Sequence, residues 1–520
     1  MSIETRISNS ALQSGGIGND TITGGSGADQ LFGQSGDDTL IGRGSADLLF
    51  GGDGDDWLAG GTGNDQMFGG AGDDRMVWNS GDGSDVVEGG SDIDTVEIVG
   101  GKAGEEFAVT ANGERVRFDR VDAAGSSLDI GTTEQLVIHA GGGNDRFSAV
   151  GNLAALIELT FDGGDGHDTV FGGNGNDHLF GGDGNDFVDG NQGADQAWLG
   201  AGDDVFSWDP GDGSDVVEGG AGEDSVILNG SSGAETIDLS ANGDRLRLTR
   251  DLGSIVMDVN DVEIVHIMAR NNTDTIFVHD LSGTDARLVA VDLVGNTGTS
   301  GDGQVDTVLA QGTTSSDAIT VTALNGQIAA QGLFAQFTVD HAEAADKLIV
   351  GGFDGDDTID ASTLAAGTVS LLLSGDGGDD VVLGSAGVDQ IVGGFGGDAL
   401  FGNDGDDIIA GGVGDDLLSG GAGSDTFRLT TVLDGHDVIV DFDGDAAGGQ
   451  DVYDLSEFFL GSGVPPEERA NRVLISDQGD AVNIYIDADN VAANGFELLT
   501  ATLYTTDAVT LGQDVIVGTI

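Results

Sequence analysis

From residue 15 onward the chain sets one apolar side chain every nine residues between glycines and aspartates. Ile22, Leu31, Leu40, Leu49, Leu58, Met67 and Met76 follow one another without a residue gained or lost. A second series, Val170, Leu179, Val188, Ala197 and Phe206, and a third, Val382, Ile391, Leu400, Ile409, Leu418 and Phe427, keep the same spacing. A period of nine fits neither the 3.6-residue helix nor an ordinary alternating strand, and marks a repeat architecture. The underlying unit is Gly-Gly-x-Gly-x-Asp-x-U-x, with U apolar. One apolar residue per unit predicts a strand of about three residues with one inward side chain, the other positions turning the chain. Two such halves close one coil of a parallel β-solenoid, so repeat n stacks on repeat n+2 at a spacing of ~4.8 Å.

The register divides the chain. Residues 1–14 read as an N-terminal cap and 15–97 as a first repeat block, with seven contiguous copies and two more after Trp78-Asn79. A second block, 140–227, has a lone copy at Ala140, five contiguous copies from Gly163, and two more after Trp208-Asp209. A third, 351–428, holds the copy 352–360 and six contiguous copies from Gly375. Between them, 98–139 and 228–350 are spacers, the latter holding spacers two and three with degenerate repeats, and 429–520 follows as a closing region. Segments 98–139, 228–268 and 313–350 alternate apolar and polar residues around Asn112-Gly113, Asn242-Gly243 and Asn325-Gly326, the signature of antiparallel hairpins. The expected fold is all-β, a parallel β-roll interspersed with hairpin spacers. Residues 71–120 recur as 201–250, so repeats and spacer have been copied together.

Composition turns this pattern into chemistry. The 520 residues include 94 Gly but 3 Pro, and 92 Asp plus Glu against 17 Lys plus Arg, a formal net charge of −75. Such a chain has no nucleic-acid partner. In a stacked coil the sixth-position carboxylates recur along each edge; two of them ~4.8 Å apart repel by about 3.5 kcal/mol at an effective dielectric of about 20. Counter-cations are required. Glycines at positions one, two and four free the backbone to bring carbonyls toward a shared centre. Hard carboxylate and carbonyl oxygens on a pliant turn select Ca2+ over zinc or copper, and over magnesium, which holds its waters.

The candidate metal ligands of the first block are Gly15, Gly16, Gly18 and Asp20; Gly24, Gly25, Gly27 and Asp29; Gly33, Gly36 and Asp38; and Asp47. They continue with Gly51, Gly52, Gly54 and Asp56; Gly60, Gly61, Gly63 and Asp65; Gly69, Gly70, Gly72 and Asp74; then Asp85 and Asp94. The second block contributes Asp145; Gly163, Gly164, Gly166 and Asp168; Gly172, Gly173, Gly175 and Asp177; Gly181, Gly182, Gly184 and Asp186; then Asp195, Asp204, Asp215 and Asp224. The third contributes Asp357; Asp380; Gly384, Gly387 and Asp389; Gly393, Gly394, Gly396 and Asp398; and Gly402, Gly405 and Asp407. It ends with Gly411, Gly412, Gly414 and Asp416, and Gly420, Gly421, Gly423 and Asp425.

These residues closely resemble the RTX, or haemolysin-type, calcium-binding repeat. The resemblance implies ions between turns n and n+2, held by glycine-position carbonyls and paired sixth-position Asp side chains. It also implies two sites fewer than repeats in each contiguous run, about a dozen Ca2+ in all. Arg43 and Ser45 replace the second and fourth glycines of their copy, which makes the neighbouring sites the weakest expected ones, and Ala197 thins the apolar row. His436 through Phe459 resembles the segment that closes the array in secreted RTX proteases and lipases. Asp514-Val515-Ile516-Val517, in a tail without Lys or Arg from Val473 on, looks like the terminus of type I secretion signals. An edge strand is the other reading of that tail.

The first ten residues lack an apolar signal stretch, no run of about 18 apolar residues is present, and there is no Cys. A cysteine-free acidic chain that folds only on meeting millimolar calcium suits export through a type I exporter. Neither His-Glu-x-x-His nor Gly-x-Ser-x-Gly occurs, and only Lys102 and Lys347 could serve a lysine-acylated cytolysin, so catalysis and pore formation find no machinery. The expected function is a secreted, extracellular calcium-folded structural or adhesive protein of a bacterial surface layer or matrix, with a glycan or other copies as further partners. The alternative is a carbohydrate-active or glycan-binding protein with its site in the spacers. Arg115, Arg117 and Arg120, repeated as Arg245, Arg247 and Arg250, are either a solvated face offsetting nearby Asp or a stripe for acidic glycan. Trp78 and Trp208 are either end-of-block packing or sugar platforms.

Overall fold

The computed structural model describes residues 12–518 except 122–124, 296–297, 299, 432, 445–448, 463, 488–497 and 506–507; most of the expected N-terminal cap lies outside it. The chain forms two compact units, Met1–Asn229 with Ile255–Val265, and Gly230–Ser254 with His266–Ile520.

In the first unit, successive repeats alternate between two parallel sheets and each strand stacks on the one two repeats away. Leu31 lies beside Leu49 and Leu49 beside Met67 in one sheet; Ile22 lies beside Leu40 and Leu40 beside Leu58 in the other. The eighth-position side chains point inward, and Leu31, Leu40, Leu49 and Leu58 are fully buried. On the outer face Phe32, Phe50 and Phe68 stack with ring centroids 5.0 and 4.9 Å apart, which reports the rung spacing directly. Strands run to six residues, as in Gln30–Ser35 and Leu48–Asp53, rather than three. The chain stays in ladder register through the first three positions of the next repeat, where Gln34 pairs with Gly52 and Ser35 with Asp53. Apolar spacing alone marks only the inward half of such a strand.

Stacking this close leaves no room for a side chain at the turns. Gly54 has φ +126°, and a Cβ there would lie 2.6 Å from the Gly36 carbonyl oxygen. Arg43 (φ 86°) and Ser45 (φ 71°) accept the same left-handed backbone without being glycine, so the coil course is kept at strained residues. Trp78 and Trp208 fill the two-residue insertions that shift the register; both are at most 1 % exposed, and their indoles donate to the Gly83 and Gly213 carbonyls at 3.0 and 2.9 Å. They are packing residues with no face for a sugar.

The spacers are spliced into the sheets. Glu106–Asn112 and Ser126–Gly131 flank Arg115–Arg120 antiparallel, yet each also continues the parallel ladder, on Arg146–Val150 and Asp85–Ser91. Only the middle strand runs backward. In the second unit Ala318–Leu324, Gln327–Gln331 and Gln336–Asp340 repeat this device, and Thr236–Asn242 pairs antiparallel with Arg245–Arg250 and parallel with Thr275–Val278. The third block again stacks with an 18-residue step, Leu400 beside Leu418 and Ile391 beside Ile409. Beyond it, Val473–Asp477, Val482–Ile486 and Leu498–Leu503 form an antiparallel meander that continues the ladder at Asp437–Ile439. Val515–Ile516 adds a parallel rung on Val452–Asp454. Among the described residues no helix is long and apolar enough to cross a membrane.

Candidate metal centres

Every sixth-position Asp of the three blocks is buried. Their carboxylates form rows. Within a block the backbone N–H donates to Oδ1 of the Asp two repeats on: Asp38 to Asp56 at 2.7 Å, Asp56 to Asp74 at 2.8 Å, Asp168 to Asp186 at 2.7 Å, Asp398 to Asp416 at 2.8 Å. One oxygen is thus fixed by the fold. The other, Oδ2, is buried with no hydrogen-bond partner at Asp38, Asp47, Asp56, Asp65, Asp74, Asp145, Asp168, Asp177, Asp186, Asp195, Asp204, Asp380, Asp398, Asp407, Asp416 and Asp425, among others.

The space those oxygens face is lined by carbonyl. A Cβ on Gly51 would meet Asp56 Oδ2 and lie 2.6 Å from the Gly69 carbonyl; on Gly42, 2.6 Å from that of Gly60; on Gly172, 2.9 Å from Asp177 Oδ2 and 2.7 Å from the Gly190 carbonyl. The first-position glycine therefore leaves open a pocket shared by a carboxylate oxygen and a carbonyl one coil further on. Among the described residues no three His, Asp or Glu side chains converge as a metal cluster, so a cation here draws on backbone oxygen and stacked carboxylates. That all-oxygen donor set fits calcium.

Electrostatics point the same way. Burial, reinforced by neighbouring carboxylates and opposed by the backbone N–H, pushes Asp74, Asp145 and Asp407 up to about 7 and Asp195 to about 8. Anions so placed call for protons or metal.

The rows extend past the nonapeptides. Asp274, Asp306 and Asp346 stack with N–H to Oδ1 distances of 2.8 and 3.0 Å; Asp317 donates to Asp357 at 2.7 Å, and Asp425 to Asp451 at 3.0 Å. Glu105, Glu235 and Glu263 join them as glutamates, paired with Asp145, Asp274 and Asp224 at 2.6, 2.9 and 2.8 Å. Their Gly-Gly-x-Gly set is incomplete, which hid them in the sequence, but an acid two residues before a buried apolar or aromatic side chain survives at Asp274-Thr275-Ile276, Asp306-Thr307-Val308 and Asp451-Val452-Tyr453.

The arginine triplets divide by role. Arg120 and Arg250 turn inward onto Glu105 (2.7 Å) and Glu235 (2.6 Å), Arg115 bridges Glu88 and Asp129, and exposed Arg117 pairs with Asp119. The histidines serve local polar contacts: His139 to Asp162 at 3.0 Å, His279 to Asp238 at 2.8 Å, His341 to Asp292 at 2.6 Å.

The RTX calcium-binding nonapeptide repeat pattern matches residues 14–49, 41–76, 79–96, 162–197, 180–207, 210–246, 372–400 and 392–427. Among solved structures the chain is similar to a subunit of the Azotobacter vinelandii mannuronan C5-epimerase, with 34% identity over 24% of this chain and 71% of that one, at a TM-score of 0.19. No curated protein sequence matches.

Proposed function

We propose that this chain, an RTX-type calcium-binding repeat protein, is a calcium-folded structural or adhesive protein of the bacterial cell surface or extracellular matrix. About a dozen Ca2+ ions fill its rows. The observation that carries the reading is the buried Oδ2 without a partner, repeated in most turns of the blocks, in a chain of net charge −75. A buried ionised carboxylate with half its hydrogen-bonding capacity unmet persists only beside a cation. The ligands are the glycine and Asp positions of the blocks, each ion spanning two coils.

Folding is then the switch. Where free calcium is scarce the rows repel and the chain stays open; where it is millimolar the coils close. An open, cysteine-free chain suits passage through a type I exporter, with the address in the tail from Val473. Asp514-Val515-Ile516 is also a rung of the second unit, so export would precede its docking. The chain acts as a scaffold without turnover, and its partners outside are a surface glycan or further copies.

Calorimetric calcium stoichiometry tests the site. Asp398→Ala lowers the ion count, while Gly397→Ala, whose new Cβ meets nothing closer than 3.4 Å and whose φ is not left-handed, keeps it. Equal counts in the two variants would overturn the ligand assignment. Incubation with polyuronates and neutral glycans tests the function, and product release would replace the scaffold reading by an enzymatic one.

A further inference from the structure

Most sixth-position acids fall into two kinds, and the repeat pattern does not separate them. In one kind Oδ2 is left unpartnered, as at Asp38, Asp56, Asp398 and Asp407. In the other, the second-position backbone N–H turns inward and donates to the same carboxylate four residues on. Gly25 donates to Asp29 at 2.5 Å, Ser385 to Asp389 at 2.5 Å, Thr313 to Asp317 at 2.6 Å, and Thr430 to Asp434 at 2.6 Å. Thr510 does so to Asp514 at 2.7 Å, Ser231 to Glu235 at 2.8 Å, and Gly101 to Glu105 at 2.6 Å. Where the second residue is Ser or Thr its hydroxyl reaches the same group, as Ser385 Oγ to Asp389 at 3.0 Å and Thr510 Oγ1 to Asp514 at 2.8 Å.

Backbone conformation tracks this division. The second residue has φ between +58° and +134° in turns that leave Oδ2 open, including non-glycines such as Gln34, Arg43, Asn191 and Asn403 and glycines such as Gly52 and Gly70. In the seven capped turns the second residue is absent from the left-handed region. A left-handed second residue swings its N–H away from the carboxylate; without that rotation the N–H takes the place of a cation. Two capped turns go further, because Arg250 forks onto Glu235 with Nε and Nη2 at 2.9 and 2.6 Å, and Arg120 pairs with Glu105 at 2.7 Å. A guanidinium there supplies the positive charge that a metal supplies elsewhere.

We propose that the capped turns take no calcium: the chain satisfies these carboxylates itself, so the turns at Asp389, Asp317, Glu105 and Glu235 are metal-free seams that divide the array into separately loading segments. The proposal rests on the reading that open Oδ2 atoms are calcium ligands. It removes Asp389 and Asp29, with the glycines of their turns, from the ligand set that the repeat spacing suggests.

The test is calcium stoichiometry by flow dialysis on the full chain, with circular dichroism at saturating calcium to confirm folding. Asp389→Asn is expected to bind as many ions as the parent, and Asp398→Asn at least one fewer. Loss of ions in Asp389→Asn equal to that in Asp398→Asn would overturn the proposal while leaving the calcium reading intact; no loss in either variant would overturn the calcium reading first. Amide exchange in chelator gives a readout that survives a misfolded variant. The amides of Thr236–Asn242 and Arg245–Arg250 should exchange at least about ten-fold more slowly than those of Ile408–Val413. Equal exchange would show that the arginine-capped seam is no more self-sufficient than the open turns.

Discussion

The hairpin at Thr236–Arg250 and the turns of the third block face one physical problem, a buried carboxylate at the head of a rung. In the third block the acid is Asp, the second residue is left-handed at Gly394 or Asn403, and one oxygen is left for an ion from solution. In the hairpin the acid is Glu235, one methylene longer, and a buried arginine 15 residues away reaches it. On the proposed reading, the first solution makes folding conditional on calcium. The second makes it conditional only on the chain. A protein that alternates them has rungs that wait for metal beside rungs that do not, and the copying of residues 71–120 into 201–250 carried the arginine solution along.

Calcium removal should break the comparison most visibly. In chelator the repeat blocks should lose their strand structure, and restoring calcium at ~10⁻⁴ to 10⁻³ M should return it, as read by circular dichroism and sedimentation. A β spectrum unchanged in chelator would mean that the open turns do not depend on metal.

Second in size is the loss of the internal cation. Glu235 and Arg250 are 2 and 4 % exposed in their side chains, so Arg250→Gln leaves an ionised carboxylate buried without its partner. Breaking such a pair destabilises by about 3–5 kcal/mol. Denaturant melts in saturating calcium should show this for Arg250→Gln, and the double variant Glu235→Gln/Arg250→Gln should recover most of it. A single variant as stable as the parent would mean that the pair is replaced by water or metal.

Acid offers a third lever, with opposite signs in the two metal states. The buried Asp carboxyls of the open turns have folded-state values raised to about 6 at Asp56 and Asp398 and about 7 at Asp74 and Asp407, with burial the first cause. The folded chain therefore binds more protons than the unfolded one between roughly pH 4, the ordinary Asp value, and pH 7. Without metal, stability is lost as pH rises through that window and is fully present below it. In chelator the chain should gain β structure on acidification from pH 7.5 to 4.5, whereas with limiting calcium the same acidification should release ions, because a ligand must be deprotonated. If β signal in chelator falls instead, the carboxylates are not what holds the apo chain open.

How far the sequence reveals this division depends on which atoms do the work. The period, the inward row at Leu31, Leu40 and Leu49, the stacking of repeat n on n+2 and the hairpins at Asn112-Gly113 and Asn325-Gly326 are written in side chains, and the structure has them. The carboxylate rows are half legible. Asp274, Asp306 and Asp346 keep the acid and the apolar residue but lack the full glycine set that announces a repeat. The turn state is the least legible. Gly25 and Gly52 occupy the same second position, yet only Gly52 is left-handed, at φ +127°. Glycine permits both signs of φ, so its presence cannot distinguish a capped turn from an open one. Alternation puts Arg120 and Arg250 on the inward side with Val116 and Phe118 and with Leu246 and Leu248, opposite the other two arginines of each triplet, but it does not name their partners, because Glu105 and Glu235 stand at the head of a neighbouring strand that only the hairpin register identifies.

The smallest effect follows from converting one turn into the other kind. Ser385 caps Asp389 with both its N–H and its hydroxyl, at 2.5 and 3.0 Å, within a block whose neighbouring turns at Asp380 and Asp398 are open. Asn occupies the same second position in open turns, at Asn191 with φ 58° and Asn403 with φ 75°, and Asn tolerates the left-handed region better than Ser. Ser385→Asn removes the hydroxyl and lowers the barrier to rotating the N–H outward, so Asp389 Oδ2 should open and the full chain should bind one more calcium ion. The exchanged hydrogen bonds are each worth about 0.5–1.5 kcal/mol, so the variant should be slightly less stable than the parent at low calcium and recover as calcium rises. Flow dialysis of parent and variant on one calcium series reads the added ion, and the midpoint of the β signal reads its coupling to folding. An unchanged ion count in a folded Ser385→Asn chain would mean that the cap at Asp389 is set by the stacking of its neighbours, not by the residue that makes it.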